Sequence, residues 1–133
     1  MWKYFTEDEL KCKGTDECYM DGQFMAQLEA LRHDFNEPMI ISSAYRSIGY
    51  NTTIGGAAHS PHLQGKAVDV VINGKSAYRL LKLALQYGFT GIGVSQRGPH
   101  ERRFLHLDTM ESSDVHPRPW IWSYKWLRFL KNY

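Results

Sequence analysis

The sequence predicts a single α+β domain in which a small antiparallel sheet is flanked by helices, and three observations carry that expectation. A chain of 133 residues suits one hydrophobic core. Two segments, about 21–35 and 76–87, read as helices of ordinary length. Four short runs of strand-compatible residues, 39–42, 67–72, 91–94 and 104–108, supply a sheet.

Taken in order, Thr6 followed by Glu9 forms a capping box, each side chain satisfying a backbone N–H at the start of a short helix. Asp21 caps a longer helix to about Phe35, where Phe24, Leu28, Leu31 and Phe35 recur at helical spacing as one buried stripe. Pro38 ends that region, and Met39 to Ser42 follows as a strand. Ser43 to Gly65 reads as a loop rich in Gly, Ser, Asn and His, longer than a compact domain carries without a functional reason. Ala67 to Ile72 alternates as a strand, Ser76 caps a helix to Tyr87, and Gly88 stands where a left-handed C-cap belongs. Gly91 to Val94 and Phe104 to Asp108 are further strands, joined by the polar segment Ser95 to Arg103. The tail Trp120 to Leu130 places Trp122, Trp126, Phe129 and Leu130 near helical spacing and is expected as a terminal helix closing the core.

Composition narrows the function classes. With 43% hydrophobic and 23% charged residues, the chain has neither the charge excess of disorder nor an apolar run long enough to span a bilayer, so membrane insertion is not expected. A net charge of +2 is too small to argue for nucleic acid, although it suits an anionic polymer. The first nine residues contain no apolar stretch of signal-peptide length, so synthesis in the cytoplasm without an export signal is expected. Cys12 and Cys18 flank a turn-like Lys-Gly-Thr-Asp-Glu and read as reduced thiols in a loop, with a disulfide or a second metal site as the alternatives.

Chemistry concentrates in two segments. Ser60 to Asp69 brings an imidazole, His62, from a loop and a carboxylate, Asp69, from the following strand, both good zinc donors. In Phe104 to Asp108, alternation turns His106 and Asp108 to one face and Leu105 and Leu107 to the other. Neighbouring strands could therefore aim Asp69 and His106 at one point, with His62 completing three ligands and leaving a fourth position open, as catalytic zinc sites do. Taken singly, such a His is more often a surface or hydrogen-bonded residue, and a strand Asp often caps a turn.

Ser60 to Asp69 also reads S-x-H-x-x-G-x-A-x-D, and it is accompanied by Ser43-Ala44-Tyr45-Arg46-Ser47, Asn51, Gly55-Gly56-Ala57, Gly88 to Gly93, and His106-Leu107-Asp108 with Trp120 downstream. Over these stretches, most of the chain, the sequence resembles the zinc D-Ala-D-Ala carboxypeptidase and phage L-alanyl-D-glutamate endopeptidase family of the Hedgehog/D-Ala-D-Ala metallopeptidase superfamily. The resemblance implies that fold in one domain over residues 1–133, zinc held by His62, Asp69 and His106, and Arg46 contacting substrate or the developing oxyanion. Ser60 is expected to contact substrate or order the loop, and His59 reads as an exposed loop residue. Several family members carry a general base two or three residues before the last zinc His, where this chain has Arg103 and Phe104. The base is sought among Asp108, Glu101 and His100, in that order, Asp108 having a second possible role in orienting His106.

The implied function is zinc-dependent hydrolysis of an amide in the peptide stem of bacterial peptidoglycan, by a monomer acting as a phage-type lytic endopeptidase that accumulates in the host cytoplasm or rides in the virion. Two alternatives stand beside it: a D-Ala-D-Ala carboxypeptidase, and a non-catalytic zinc-binding recognition module.

Overall fold

Residues 2–124 are described by the computed structural model, and local capping chemistry sets where their helices begin. The capping box forms as expected: Thr6 Oγ1 accepts from Glu9 N, and Glu9 Oε1 accepts from Thr6 N, opening α1 (Glu7–Leu10). Asp21 accepts from Phe24 N to start α2 (Gly22–Phe35), and Asn36 in the left-handed region ends it. The next helix, α4 (Gly74–Gln86), begins a turn earlier than expected. Asn73 is its N-cap and Ser76 lies inside the first turn, donating to Glu37 Oε1. Gly88 takes the left-handed conformation anticipated for it.

The segment expected as one long loop is partly helical. Ser47 accepts from Tyr50 N to open α3 (Ile48–Thr53), and Pro61–Gln64 forms a 3-10 turn closed by Gly65 at φ +65°. Six residues containing two threonines carry too little apolar periodicity to register as a helix; the Ser47 cap is the signal that was there to read.

Five strands build one sheet: β1 (Ile40–Ser43), β2 (Ala67–Val71), β3 (Gly91–Ser95), β4 (Phe104–Asp108) and β5 (Trp120–Ser123), in the spatial order β1-β2-β4-β3-β5. The first four pair antiparallel, as expected, but β5 adds parallel to β3, so the sheet is mixed. The expected terminal helix is thereby corrected at its start: Trp120–Ser123 is an edge strand, and Trp126, Phe129 and Leu130 lie outside the described residues. The spacing of the aromatics fits the helical period, but Trp120 and Trp122 also alternate with Ile121 and Ser123, and pairing with β3 decides between the two.

One face of the sheet is apolar. Val68, Val70, Ile92, Leu105 and Leu107 join Phe24, Leu28, Leu31 and Phe35 of α2 and Leu80 and Ala84 of α4 in a single buried cluster. Burying such side chains stabilises by about 1.5–3 kcal/mol each, so this layer anchors the strands whose opposite face carries the polar residues. Among the described residues no helix is long and apolar enough to cross a membrane.

Candidate metal centre

One row of paired residues crosses the sheet: Ser43, Asp69, His106, Gly93 and Trp122 stand opposite one another on β1, β2, β4, β3 and β5. Directly paired residues share a face, so the alternation that sends Leu105 and Leu107 into the core sends His106 to the polar side beside Asp69. A bulge between Ile41 and Ser43 shifts the register of β1. Without that extra residue Ser43 would follow Ile41 into the core; with it, Ser43 joins the row.

His62 reaches the row from the 3-10 turn. Ser60 N-caps that turn, its Oγ accepting from His62 N at 3.3 Å, and it is buried; its observed contact is thus the loop-ordering one. His62 Nε2 lies 3.3 Å and His106 Nδ1 3.0 Å from the same oxygen, Asp69 Oδ1. One donor atom from each of His62, Asp69 and His106 lies within 4.8 Å of the others, and all three residues are buried. His59 is exposed, and its carbonyl accepts from His116 Nε2. Glu101 and His100 stand exposed on the 3-10 turn His100–Arg102, outside this group.

The far nitrogen of each imidazole fixes which nitrogen faces Asp69. His62 Nδ1 is 2.6 Å from the Ala44 carbonyl oxygen, and His106 Nε2 is 2.7 Å from Asp108 Oδ2. A carbonyl or carboxylate oxygen only accepts, so those nitrogens carry hydrogen, and in the neutral imidazoles His62 Nε2 and His106 Nδ1 are left to present lone pairs. Two lone pairs and a carboxylate oxygen converging in a buried site repel one another unless a proton or a cation lies between them. Two imidazoles and a carboxylate suit zinc, so the residues fit a metal ion.

Electrostatics differ between the two histidines. Burial lowers His62, and the Asp69 carboxylate only partly opposes it. Burial also works against the charged form of His106, but the Asp108 and Asp69 carboxylates outweigh it and raise the imidazole to about 9. Asp69 and Asp108 are both disfavoured as anions by burial, yet the imidazoles of His62 and His106 around Asp69, and His106 with Arg118 on Asp108, hold both well below the usual carboxylate range.

Each buried carboxylate has a buried arginine. Arg46 is 1% exposed; Ser43 Oγ accepts from its Nε, Asn51 Oδ1 accepts from Nη1, and Nη2 stands 3.5 Å from Asp69 Oδ2 with no hydrogen-bond partner among the described residues. Burial lowers its pKa while Asp69 opposes the shift. Arg46 is therefore built into the fold as well as aimed at the centre. Gly56 is explained by the same cluster, since a Cβ there would overlap Asn51 Oδ1 and lie 3.1 Å from Arg46 Nη1.

Asp108 is fully buried and accepts four hydrogen bonds: from His106 Nε2 and Arg118 Nη2 on Oδ2, and from Arg118 Nε and Met110 N on Oδ1. Sequence reasoning missed Arg118, a single cation in a Pro-rich segment with no periodicity to mark it. It also gave no physical reason for the glycines of β3. A Cβ on Gly91 would overlap the Asp108 carboxylate, and one on Gly93 would sit 2.8 Å from both Trp122 Nε1 and Tyr124 Oη. Cys12 is buried and Cys18 half-buried, both free thiols.

Comparison with known proteins places the chain in a family. The family description Peptidase M15 matches residues 3–108, a span holding both histidines and Asp69. The chain belongs to the peptidase M15 family. A curated relative, the zinc D-Ala-D-Ala carboxypeptidase of Streptomyces albus G, is 33% identical over 69 residues. That match covers 51% of this chain and 27% of the relative's length, so the chain spans well under a third of the relative.

Proposed function

We propose that this M15 chain is a zinc peptidase that hydrolyses an amide bond in the peptide stem of bacterial peptidoglycan, acting as a lytic endopeptidase of the phage type. The observation that carries the reading is the convergence of His62 Nε2, Asp69 Oδ1 and His106 Nδ1 on one buried point. The zinc D-Ala-D-Ala carboxypeptidase relative supports both the metal and the substrate class.

Held by His62, Asp69 and His106, zinc supplies Lewis-acid polarisation of an amide carbonyl and activation of water. The Ala44 carbonyl and the Asp108 carboxylate keep a hydrogen on each outer nitrogen, so the neutral imidazoles direct their lone pairs inward, that of His106 once its inner proton has been displaced. Arg46, whose Nη2 is ion-paired with Asp69 at 3.5 Å but has no hydrogen-bond partner among the described residues, has a donor to offer an oxygen of the substrate as charge develops there. The four hydrogen bonds on Asp108 favour an orienting role over proton abstraction, because a saturated carboxylate has little capacity left for a proton. Ser60 acts through the turn that presents His62.

The second reading, a D-Ala-D-Ala carboxypeptidase, is favoured by the activity in the relative's name. Digestion of purified peptidoglycan with the zinc-loaded chain, followed by mass spectrometry, separates the two. New amino termini inside the stem peptide are expected for the endopeptidase, whereas release of free D-alanine alone would establish the carboxypeptidase. No product from the zinc-loaded chain, with zinc bound, would leave a recognition module.

A further inference from the structure

We propose that Arg118 and Trp122 are positioning residues for the metal: with Asp108 they close a ring of contacts around His106 that fixes which nitrogen it presents and the plane of its ring. The inference rests on the zinc reading of the site.

An imidazole ligand must be fixed in two respects, the nitrogen that carries hydrogen and the rotation of the ring about its bond to Cβ. Asp108 settles the first by accepting from His106 Nε2. Trp122 settles the second, its ring packed against the imidazole at 5.1 Å between centroids and tilted by 51°. Both are tied to Arg118. Its guanidinium engages Asp108 at two points, Nε to Oδ1 at 3.0 Å and Nη2 to Oδ2 at 2.8 Å, and its Cζ stands 5.2 Å from the centre of the Trp122 ring. One planar cation thus orients a carboxylate through its edge and an aromatic ring through its face, a combination that suits arginine and not lysine.

The sequence gives the ring its space. Gly91 leaves the volume occupied by the Asp108 carboxylate, and Gly93 lets Trp122 cross over β3 toward His106. The Arg118 side chain is 6% exposed, and a guanidinium so buried is stable only against a partner such as Asp108. None of Arg118, Trp122 and Asp108 belongs to the apolar cluster between sheet and helices, so the ring contributes to the site rather than to that core.

The test is zinc affinity by chelator competition for the wild type, Arg118→Ala, Arg118→Lys and Trp122→Leu, with the melting temperature of each metal-free protein measured separately. Arg118→Ala is expected to raise the zinc dissociation constant by roughly 10–100-fold, the usual effect of removing an outer-shell partner. Arg118→Lys keeps the charge without the two-point contact and should recover only part of the loss; Trp122→Leu should weaken zinc with Asp108 and Arg118 intact. The absorption spectrum of bound cobalt should shift in all three. Wild-type zinc affinity and an unchanged cobalt spectrum in folded variants, with only a lower melting temperature, would show that Arg118 and Trp122 merely stabilise the fold and would overturn the inference while leaving the zinc reading intact. If Arg118→Ala fails to fold, the other two variants decide, and wild-type affinity in both overturns the inference. A wild-type chain that binds no zinc would overturn the zinc reading and this inference with it.

Discussion

His106 and His62 face the same carboxylate oxygen but differ in what the other nitrogen meets, a carboxylate in one case and a neutral carbonyl in the other. That difference explains why His106 is raised to about 9 whereas His62 is lowered. In the metal-free protein at neutral pH, His106 therefore carries a proton on the nitrogen that a metal needs. Zinc must displace it, so binding should release about one proton per chain, and below about 9 affinity should fall as pH falls, by roughly tenfold per unit while His106 is the main competing group. Calorimetric titration in two buffers of different ionisation enthalpy measures the proton directly. A binding enthalpy independent of buffer, with a pH-independent dissociation constant, would contradict this account of His106. The two histidines and Asp69 could be singled out as candidate ligands because alternation and the spacing of Ser60 to Asp69 are local properties and the family resemblance falls on the same residues. Arg118 was not, because its relation to Asp108 is made only when the chain returns from residue 118 to the end of β4.

At the scale of elements, β3 is the strand whose sequence most constrains the site while contributing no side chain to its chemistry. The Gly91-Ile92-Gly93 pattern was visible in the sequence, but its reason was not, because the atoms that need the space belong to β4, β5 and the residue after β5. Gly93→Ala should cost about 1–3 kcal/mol, the range for overpacking, and should weaken zinc by pushing Trp122 against His106. Gly49→Ala is the matched control: a Cβ there meets nothing within 4 Å, and its helical position makes the change neutral or stabilising. Thermal melting of the two variants should separate them by several degrees, and equal melting temperatures would refute the proposed clearance at Gly93. The bulge in β1 and the strand at Trp120–Ser123 were hidden for a related reason, since register and edge pairing are set by partners distant in the chain.

Across the whole molecule the two faces of the sheet separate folding from metal binding. The apolar face is buried against α2 and α4 by side chains whose periodicity was plain in the sequence, which is why the α+β class and four of the five strands could be anticipated. The polar face holds two carboxylates and two arginines out of water, an arrangement that pairing renders tolerable but that adds little stability by itself. Removing the metal should therefore leave the core in place, unlike a zinc finger, whose fold depends on its ion. The chelated protein is expected to keep its far-ultraviolet circular dichroism and a cooperative melt. Zinc should then raise the melting temperature with concentration, reaching about 4 kcal/mol of stabilisation at a thousand times the dissociation constant. His62→Ala should abolish most of that gain, because it removes a ligand while leaving the sheet-to-helix core untouched. Should the chelated wild type lose its helical signal or its cooperative transition, the metal would be part of the folding core, and the division of labour between the two faces would be refuted.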